Sequence, residues 1–409
     1  MRRFATFFAL IIALHIFAQN DIEVVNIENR AVQEYMQDAY NTYSVNHNYS
    51  HSVVTKYNNA SKYGPKLHWP AGKHVSWTNT APLSNIREIR ITVSENQDYT
   101  GTTYTFNPSE KNDREFTIRN LFPNKTYYYK VEEFLNDGSV NQLKQGVFRT
   151  EGQVRMIQVR NCGNVRDIGG WQSQYGGTIK YGRLYRSASL NRVTPEGRHD
   201  FVDNLNVRAE LDLRHEVNQS KSSLGSNVDY DRRRHEAGTK GLAQCRTDFV
   251  KDLKFILRHL RQGHAVDWHC AIGCDRCGLV SFLIEGLLGM SEIDLARDFE
   301  LSTFSLASSN KRPRAHIKSM IDYIKKYGPA DDLKQCFYNY WKQIGMPTQE
   351  LDFFIAEMLE DSPATTPTAP ANPDPFEIKM PIIPSTPVEL KPYQSLDSQP
   401  GIITSISIQ

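Results

Sequence analysis

The sequence predicts an α/β domain with a central sheet flanked by helices, preceded by an all-β sandwich. Three observations predict it. From about Lys66 to Glu151, short alternating runs rich in β-branched and aromatic residues are separated by Asn, Asp, Gly and Pro. From Gln153 to about Glu360, strand and helix patterns alternate instead. The chain, at 409 residues, also exceeds the roughly 250–300 over which a single core grows, so more than one domain is expected.

The elements follow in chain order. "MRRFATFFALIIALHIFAQN" carries two arginines, an apolar run from Phe4 to Leu14 and small residues near Ala18, the layout of a cleavable export signal over 1–19. The run is shorter than the roughly 20 residues that span a bilayer. No later segment is apolar enough to span one, so a soluble exported protein, periplasmic or secreted and without stable membrane insertion, is expected. Residues 20–63 are polar and rich in Asn and Tyr, with a helical pattern at "RAVQEYMQDAY" and no assigned function. In 64–151, "EIRITVSE", "TTYTFNP", "REFTIRNL", "TYYYKVEEF" and "QGVFRT" read as strands of the sandwich. In 152–361, "VRAELDLR" and "HAVDWH" read as strands and "DFVKDLKFILRHLRQG" as an amphipathic helix. "GLVSFLIEGLLG" is apolar on most sides and should be a buried helix. "RAHIKSMIDYIKKYG" and "TQELDFFIAEMLE" have helical periodicity. Proline density makes 362–409 an extended, disordered tail. There is no internal repeat.

Charge and cysteine usage narrow the function. Lys and Arg total 48 against 46 Asp and Glu, which leaves no chain-wide field for nucleic acid. Any anion site must be local. Of six cysteines, Cys270, Cys274 and Cys277 sit within one short segment, which is no disulfide framework even in an exported chain.

That segment, "VDWHCAIGCDRCGLVSFLIEGLLG", places a loop between an apolar strand and a buried helix. Such a junction aims successive N–H groups and the positive end of the helix dipole at one spot, which suits an anion. The N–H groups of Ala271, Ile272, Gly273, Cys274, Asp275 and Arg276 would form the cradle. The same dipoles favour the thiolate of Cys270, and Arg276 can fork onto two oxygens of a phosphate. Two rivals use the same residues. His269, Cys270, Cys274 and Cys277 are zinc-ligand types, but no second ligand pair occurs nearby. A Cys274/Cys277 redox dithiol leaves Arg276 and Asp275 without a role. The expectation is therefore no metal and no cofactor. A phosphate-binding protein with little turnover stays open.

Two resemblances follow. "IRNLFPNKTYYYKVEEF" resembles the fibronectin type III pattern, in which a Leu-x-Pro turn leads into a Tyr-rich strand; such a module binds another protein, positions the domain after it or serves only as a spacer. "HCAIGCDRCG" resembles the His-Cys-x5-Arg signature of cysteine-dependent protein tyrosine phosphatases, in the variant of the secreted bacterial tyrosine/serine phosphatase family. "NVRDIGGW", "IKYGRLYRSASL", "AELDLRHE" and "DFELSTFS" are similar to other segments of that family, over about Arg160 to Glu360.

The second resemblance implies a cysteine-phosphatase-like domain and a two-step phosphoryl transfer, in which Cys270 attacks phosphorus and water hydrolyses the thiophosphate ester. Arg276 and the loop amides would bear the equatorial oxygens. The general acid is sought first in Asp275, then in Asp212, then in Asp167, and His269 is expected to orient the loop. The substrate is a phosphorylated protein or a small phosphate ester, with phosphoinositides or inositol phosphates as the alternative. Two departures stand out. Cys277 replaces the usual Ser or Thr and is a weaker donor to the departing thiolate. Cys274 adds a thiol with which an oxidised Cys270 could pair. "DRRRHE" (231–236) and "NKRPR" (310–314) are basic runs that either extend the site's field toward polyanions or are solvated surface. Sequons stand at Asn48, Asn59, Asn124 and Asn218.

Overall fold

The computed structural model describes residues 22–38, 54–64, 69–215, 219–305 and 315–361. The expected export signal, the Pro-rich tail, the 310–314 run, Asn48 and Asn218 lie outside the described residues. Among those described, no helix is long and apolar enough to cross a membrane.

The chain begins with strand β1 (Glu23–Asn26) and helices α1 (Arg30–Gln37), α2 (Val54–Tyr57) and α3 (Ala60–Tyr63). Six strands follow: β2 (Lys73–Ser76), β3 (Ile86–Ser94), β4 (Thr103–Phe106), β5 (Glu115–Ile118), β6 (Thr126–Leu135) and β7 (Val140–Glu151). They form a five-stranded sheet of order β1-β7-β6-β3-β4 and a separate β2-β5 pair. Alternation explains the arrangement. Tyr127, Tyr129 and Val131 on β6 turn inward at every second position, as do Ile89, Ile91 and Val93 on β3. With Val75 of β2 and Ile118 of β5 they make one core shared by both sheets. Tyr127 also fixes the corner ahead of β6, its hydroxyl accepting from the Phe122 N–H at 3.1 Å.

The later half carries a six-stranded sheet built from β8 (Met156–Val159), β9 (Cys162–Asp167), β11 (Leu184–Ser187), β12 (Val207–Asp212), β13 (Asp229–Arg232) and β14 (Ala265–His269), in the order β13-β12-β14-β11-β9-β8. The four strands from β13 to β11 run parallel, and β9 and β8 are antiparallel to their neighbours. A short pair, β10 (Thr178–Ile179) with β15 (Leu359–Glu360), ties the end of this half to its beginning. The helices are α4 (Pro195–His199), α5 (Gly238–Gln244), α6 (Arg246–Leu260), α7 (Asp275–Leu287), α8 (Glu292–Leu301), α9 (Ala315–Ile324), α10 (Leu333–Gln343) and α11 (Thr348–Met358). Every residue of α7 is buried, as its all-round apolar surface requires.

Residues 22–38, whose sequence suggested no function, join the two halves. β1 pairs in parallel with β7, Val24 opposite Arg149. Asn29 then caps α1, its side chain accepting from the Val32 N–H at 3.0 Å. The helix buries Ala31, Val32 and Tyr35 in the core of the later half, where the Tyr35 hydroxyl donates to Glu300 at 2.6 Å. One short segment thus belongs to both halves.

A second junction is polar. Arg155 is buried and stacks over Phe122 at 3.8 Å. It donates to the carbonyls of Asn120 (2.6 Å) and Leu121 (3.2 Å) in the first half and to Asp167 (2.8 Å) in the second. Asn120 meets Gln158 reciprocally, Nδ2 donating to its carbonyl at 2.9 Å and Oδ1 accepting from its N–H at 2.8 Å.

Candidate active site

The ends of β11, β14 and β12 lie side by side at Ser187, His269 and Asp212. This is the carboxyl edge of a parallel sheet, where open α/β folds bind ligands. Residues 270–274 make the turn from β14 into α7 along this edge.

Hydrogen bonds to the turn's carbonyls set its geometry. The carbonyl of Ala271 accepts from the Ser189 N–H (3.2 Å), and that of Ile272 from Asn164 Nδ2 (3.1 Å). Arg186 Nη2 donates to Gly273 (2.8 Å) and Cys274 (3.2 Å), and Cys274 also receives the Gly278 N–H at 2.8 Å. In a trans peptide the N–H opposes the C=O. The amides of Ile272, Gly273, Cys274 and Asp275 therefore point away from these donors, as an anion nest needs. Those of Ile272 and Gly273 donate to no protein acceptor among the described residues. Gly273 is required here. Its φ is 72°, and a Cβ would stand 2.7 Å from the Ser187 backbone.

Cys270 is completely buried at the start of the turn. Burial opposes its ionisation, but the Cys277 side chain, the Arg276 guanidinium and the Cys277 N–H outweigh burial and lower the thiol from 9.0 to about 5. Arg276 is held by a bond from Nη1 to the Leu213 carbonyl at 3.2 Å. Cys277 is pushed the other way, well above its ordinary value, by burial and then by Cys270. It remains a thiol with one hydrogen and lies 3.6 Å from the Ser187 carbonyl and 3.7 Å from that of Trp268. An ionised sulfur is a stronger attractor for that hydrogen than either carbonyl. Cys274 faces elsewhere, with Asn164 Nδ2 donating to its sulfur at 3.5 Å. All six cysteines are free thiols.

The candidate acids differ sharply in surroundings. Asp212 accepts from Arg214 Nε (2.8 Å) and Nη2 (2.7 Å), the Arg214 N–H (3.0 Å) and the Tyr230 hydroxyl (3.0 Å). Burial opposes its charge, yet these donors and His269 hold its pKa below the usual carboxylate value. Asp167 is engaged by Arg155 and by the amides of Gly169 (2.9 Å) and Gly182 (2.7 Å), within the junction between the halves. Asp275, also buried, lines a small cleft of about 40 Å³ shared with Thr239, Phe299, His316 and Met320. His269 places Nε2 2.9 Å from Glu210 and Nδ1 4.0 Å from Asp212. Burial lowers its proton affinity, but Glu210 raises it further, so the ring sits in an acidic clamp behind the turn.

A buried charge cluster supports the turn and involves residues the sequence reading quoted only as parts of motifs. Arg166 donates to both oxygens of Asp298 (3.1 and 2.9 Å) and to Asn164 Oδ1 (3.1 Å). Arg186 meets Asp298 at 3.3 Å. Glu285 of α7 adjoins them; burial and the charge of Asp298 raise its pKa well above the usual range. "NVRDIGGW", "LYRSASL" and "DFELSTFS" thus converge on one cluster. Two of the four cationic residues of the described basic run face α6. Arg233 Nε lies 3.0 Å and His235 Nε2 2.7 Å from the buried Asp252. Among the described residues, no three His, Cys, Asp or Glu side chains are grouped to hold a metal ion.

No curated protein matches the chain. Three solved structures are similar at low identity. P. aeruginosa TpbA is 16% identical over 38% of this chain and 89% of its own, with a TM-score of 0.27. PTPMT1 in complex with PI(5)P is 16% identical over 40% and 94%, with a TM-score of 0.26. The core catalytic domain of the PP-IP phosphatase SIW14 from S. cerevisiae, in complex with citrate, is 13% identical over 40% and 95%, also at 0.26. Residues 157–360, which run from within β8 to the end of β15 and include the whole turn, match the model of the tyrosine phosphatase family.

Proposed function

We propose that residues 152–361 hydrolyse phosphate monoesters through a cysteinyl-phosphate intermediate, with a protein phosphotyrosine or dual-specificity substrate. One observation carries this reading. Within a single turn, a buried cysteine has its thiol lowered to about 5 beside a guanidinium, and the peptide carbonyls that follow it are all turned outward. Cys270 attacks phosphorus, the P–O bond to the leaving group breaks, and the leaving oxygen takes a proton. Water then attacks phosphorus and releases phosphate, returning the electron pair to sulfur. Arg276 and the loop amides bear the charge of the equatorial oxygens in both steps. The match of 157–360 to the tyrosine phosphatase family supports the same reaction class. The engagement of Arg233 and His235 with Asp252 favours a protein substrate over an inositol polyphosphate, because it draws two cations of the basic run away from substrate.

We take Asp275 as the general acid because it stands at the end of the turn itself, beside Arg276; Asp212 accepts four bonds and is held ionised, and Asp167 is engaged by Arg155. Asp275→Asn should lower kcat/KM by about 10²-fold on an alkyl or phenyl phosphate and far less on a nitrophenyl phosphate, whose leaving group needs no proton. Equal losses on both substrates would remove the assignment.

Cys277 sets the second step. Its thiol donates to the departing sulfur more weakly than a hydroxyl does, so the phosphoenzyme breaks down more slowly than it forms. A rapid-mixing experiment with nitrophenyl phosphate should show a burst of about one equivalent, and Cys277→Thr should raise the following steady rate about fivefold. A chain that binds phosphate, shows no burst and gives no turnover is instead a phosphate-binding module.

A further inference from the structure

We propose that Arg186 is a positioning residue of the phosphate cradle: by holding two consecutive carbonyls of the turn, it aims the N–H groups of Cys274 and Asp275 at the phosphoryl oxygens. This rests on the reading that 270–276 receives a phosphoryl group. Arg186 lies at the end of β11 and is completely buried. Nη2 donates to the Gly273 carbonyl at 2.8 Å and the Cys274 carbonyl at 3.2 Å, while Nη1 rests on Asp298 at 3.3 Å.

A buried guanidinium is costly unless paired, and an apolar side chain of similar length would fill the space at lower cost. What an apolar side chain cannot supply is a donor to both carbonyls. Each carbonyl shares a rigid plane with the next residue's N–H, so fixing Gly273 and Cys274 from behind fixes the amides of Cys274 and Asp275 in front. Preorganised donors of this kind give oxyanion sites their strength, because they need no reorganisation when charge arrives. Arg166 reaches the turn only at one remove, through Asn164 and the Ile272 carbonyl. Arg166 and Arg186 share the one carboxylate of Asp298 beneath the loop.

The test uses the full chain with Arg186→Met, which keeps length without donors, and Arg186→Lys, which keeps charge without the fork. Three quantities are read: cooperative melting, protection of Cys270 from iodoacetamide by inorganic phosphate, and the pH midpoint of the alkylation. Arg186→Met should weaken phosphate protection at least tenfold and move the midpoint upward from about 5. Arg186→Lys should restore the midpoint but only part of the phosphate affinity, because an ammonium does not span two carbonyls in a fixed geometry. A folded Arg186→Met variant with parental phosphate affinity and parental midpoint overturns the proposal. Should that variant fail to melt cooperatively, Arg186→Lys decides: parental affinity refutes the role, and a loss with a retained midpoint supports it. Protection requires no turnover. A parent chain that binds phosphate but hydrolyses no ester sinks the functional reading and leaves this one standing.

Discussion

Cys270→Ser should lower hydrolysis of an aryl phosphate by at least about 10⁴-fold while inorganic phosphate still binds with near-parental affinity. The two outcomes separate because the substituted atom does one job and the loop another. A serine hydroxyl in the same place does not ionise near neutral pH, so the nucleophile is lost. Arg276 and the outward-turned carbonyls of 271–274 are untouched, so the anion nest persists. Calorimetric phosphate binding beside kcat on nitrophenyl phosphate reads both at once, and activity within tenfold of the parent would dismiss the covalent mechanism. The parent offers a matching pH signature. Iodoacetamide should alkylate Cys270 at a rate that stays nearly flat from pH 7 to 6 and falls to half near 5, where the thiolate takes up its proton. A midpoint near 9 would mean that neither Cys277 nor Arg276 acts on the sulfur.

Asp298→Ala should cost about 3–5 kcal/mol of stability, the largest loss expected from any single side chain of the site. Asp298 is the shared acceptor of two buried arginines, and its removal leaves both without their carboxylate. For a domain of this size that corresponds to a melting temperature lower by about 6–20 °C. Asp298→Asn keeps the shape and one acceptor and should lose less. Thermal melts of the two variants check the ordering; a loss under 1 kcal/mol in the alanine variant would show that the cluster contributes little to the fold.

The sequence was most informative where chemistry and local structure coincide. The strand before Cys270, the turn and the buried helix after it are contiguous, so period and residue type locate them without knowledge of distant partners. The same holds for α1, β3 and β6, whose alternation or helical stripe is complete within one short run. The partners of the turn are another matter. Arg166 and Arg186 meet Asp298 across 132 and 112 residues, and nothing in one chain pairs them. Asp212 read as a possible acid because it ends a strand beside the turn; that Tyr230 and Arg214 occupy it depends on the placement of β13 and the loop after β12. Residues 22–38 escaped assignment for a related reason. β1 is four residues long and mostly exposed, so its pattern is too short to announce pairing with β7.

That N-terminal crossing has a mechanical consequence. The polypeptide passes between the two halves three times, from β1 to α1, from α3 back to β2 and from β7 to β8. A single tether permits swivelling; here the first and last passages run side by side, the Ile27 N–H donating to the Glu151 carbonyl at 2.9 Å and Glu28 accepting from the N–H groups of Gln153 (3.0 Å) and Val154 (2.6 Å), which makes the junction stiffer than one strand. A force acting on the first half is therefore passed to the half that carries Cys270.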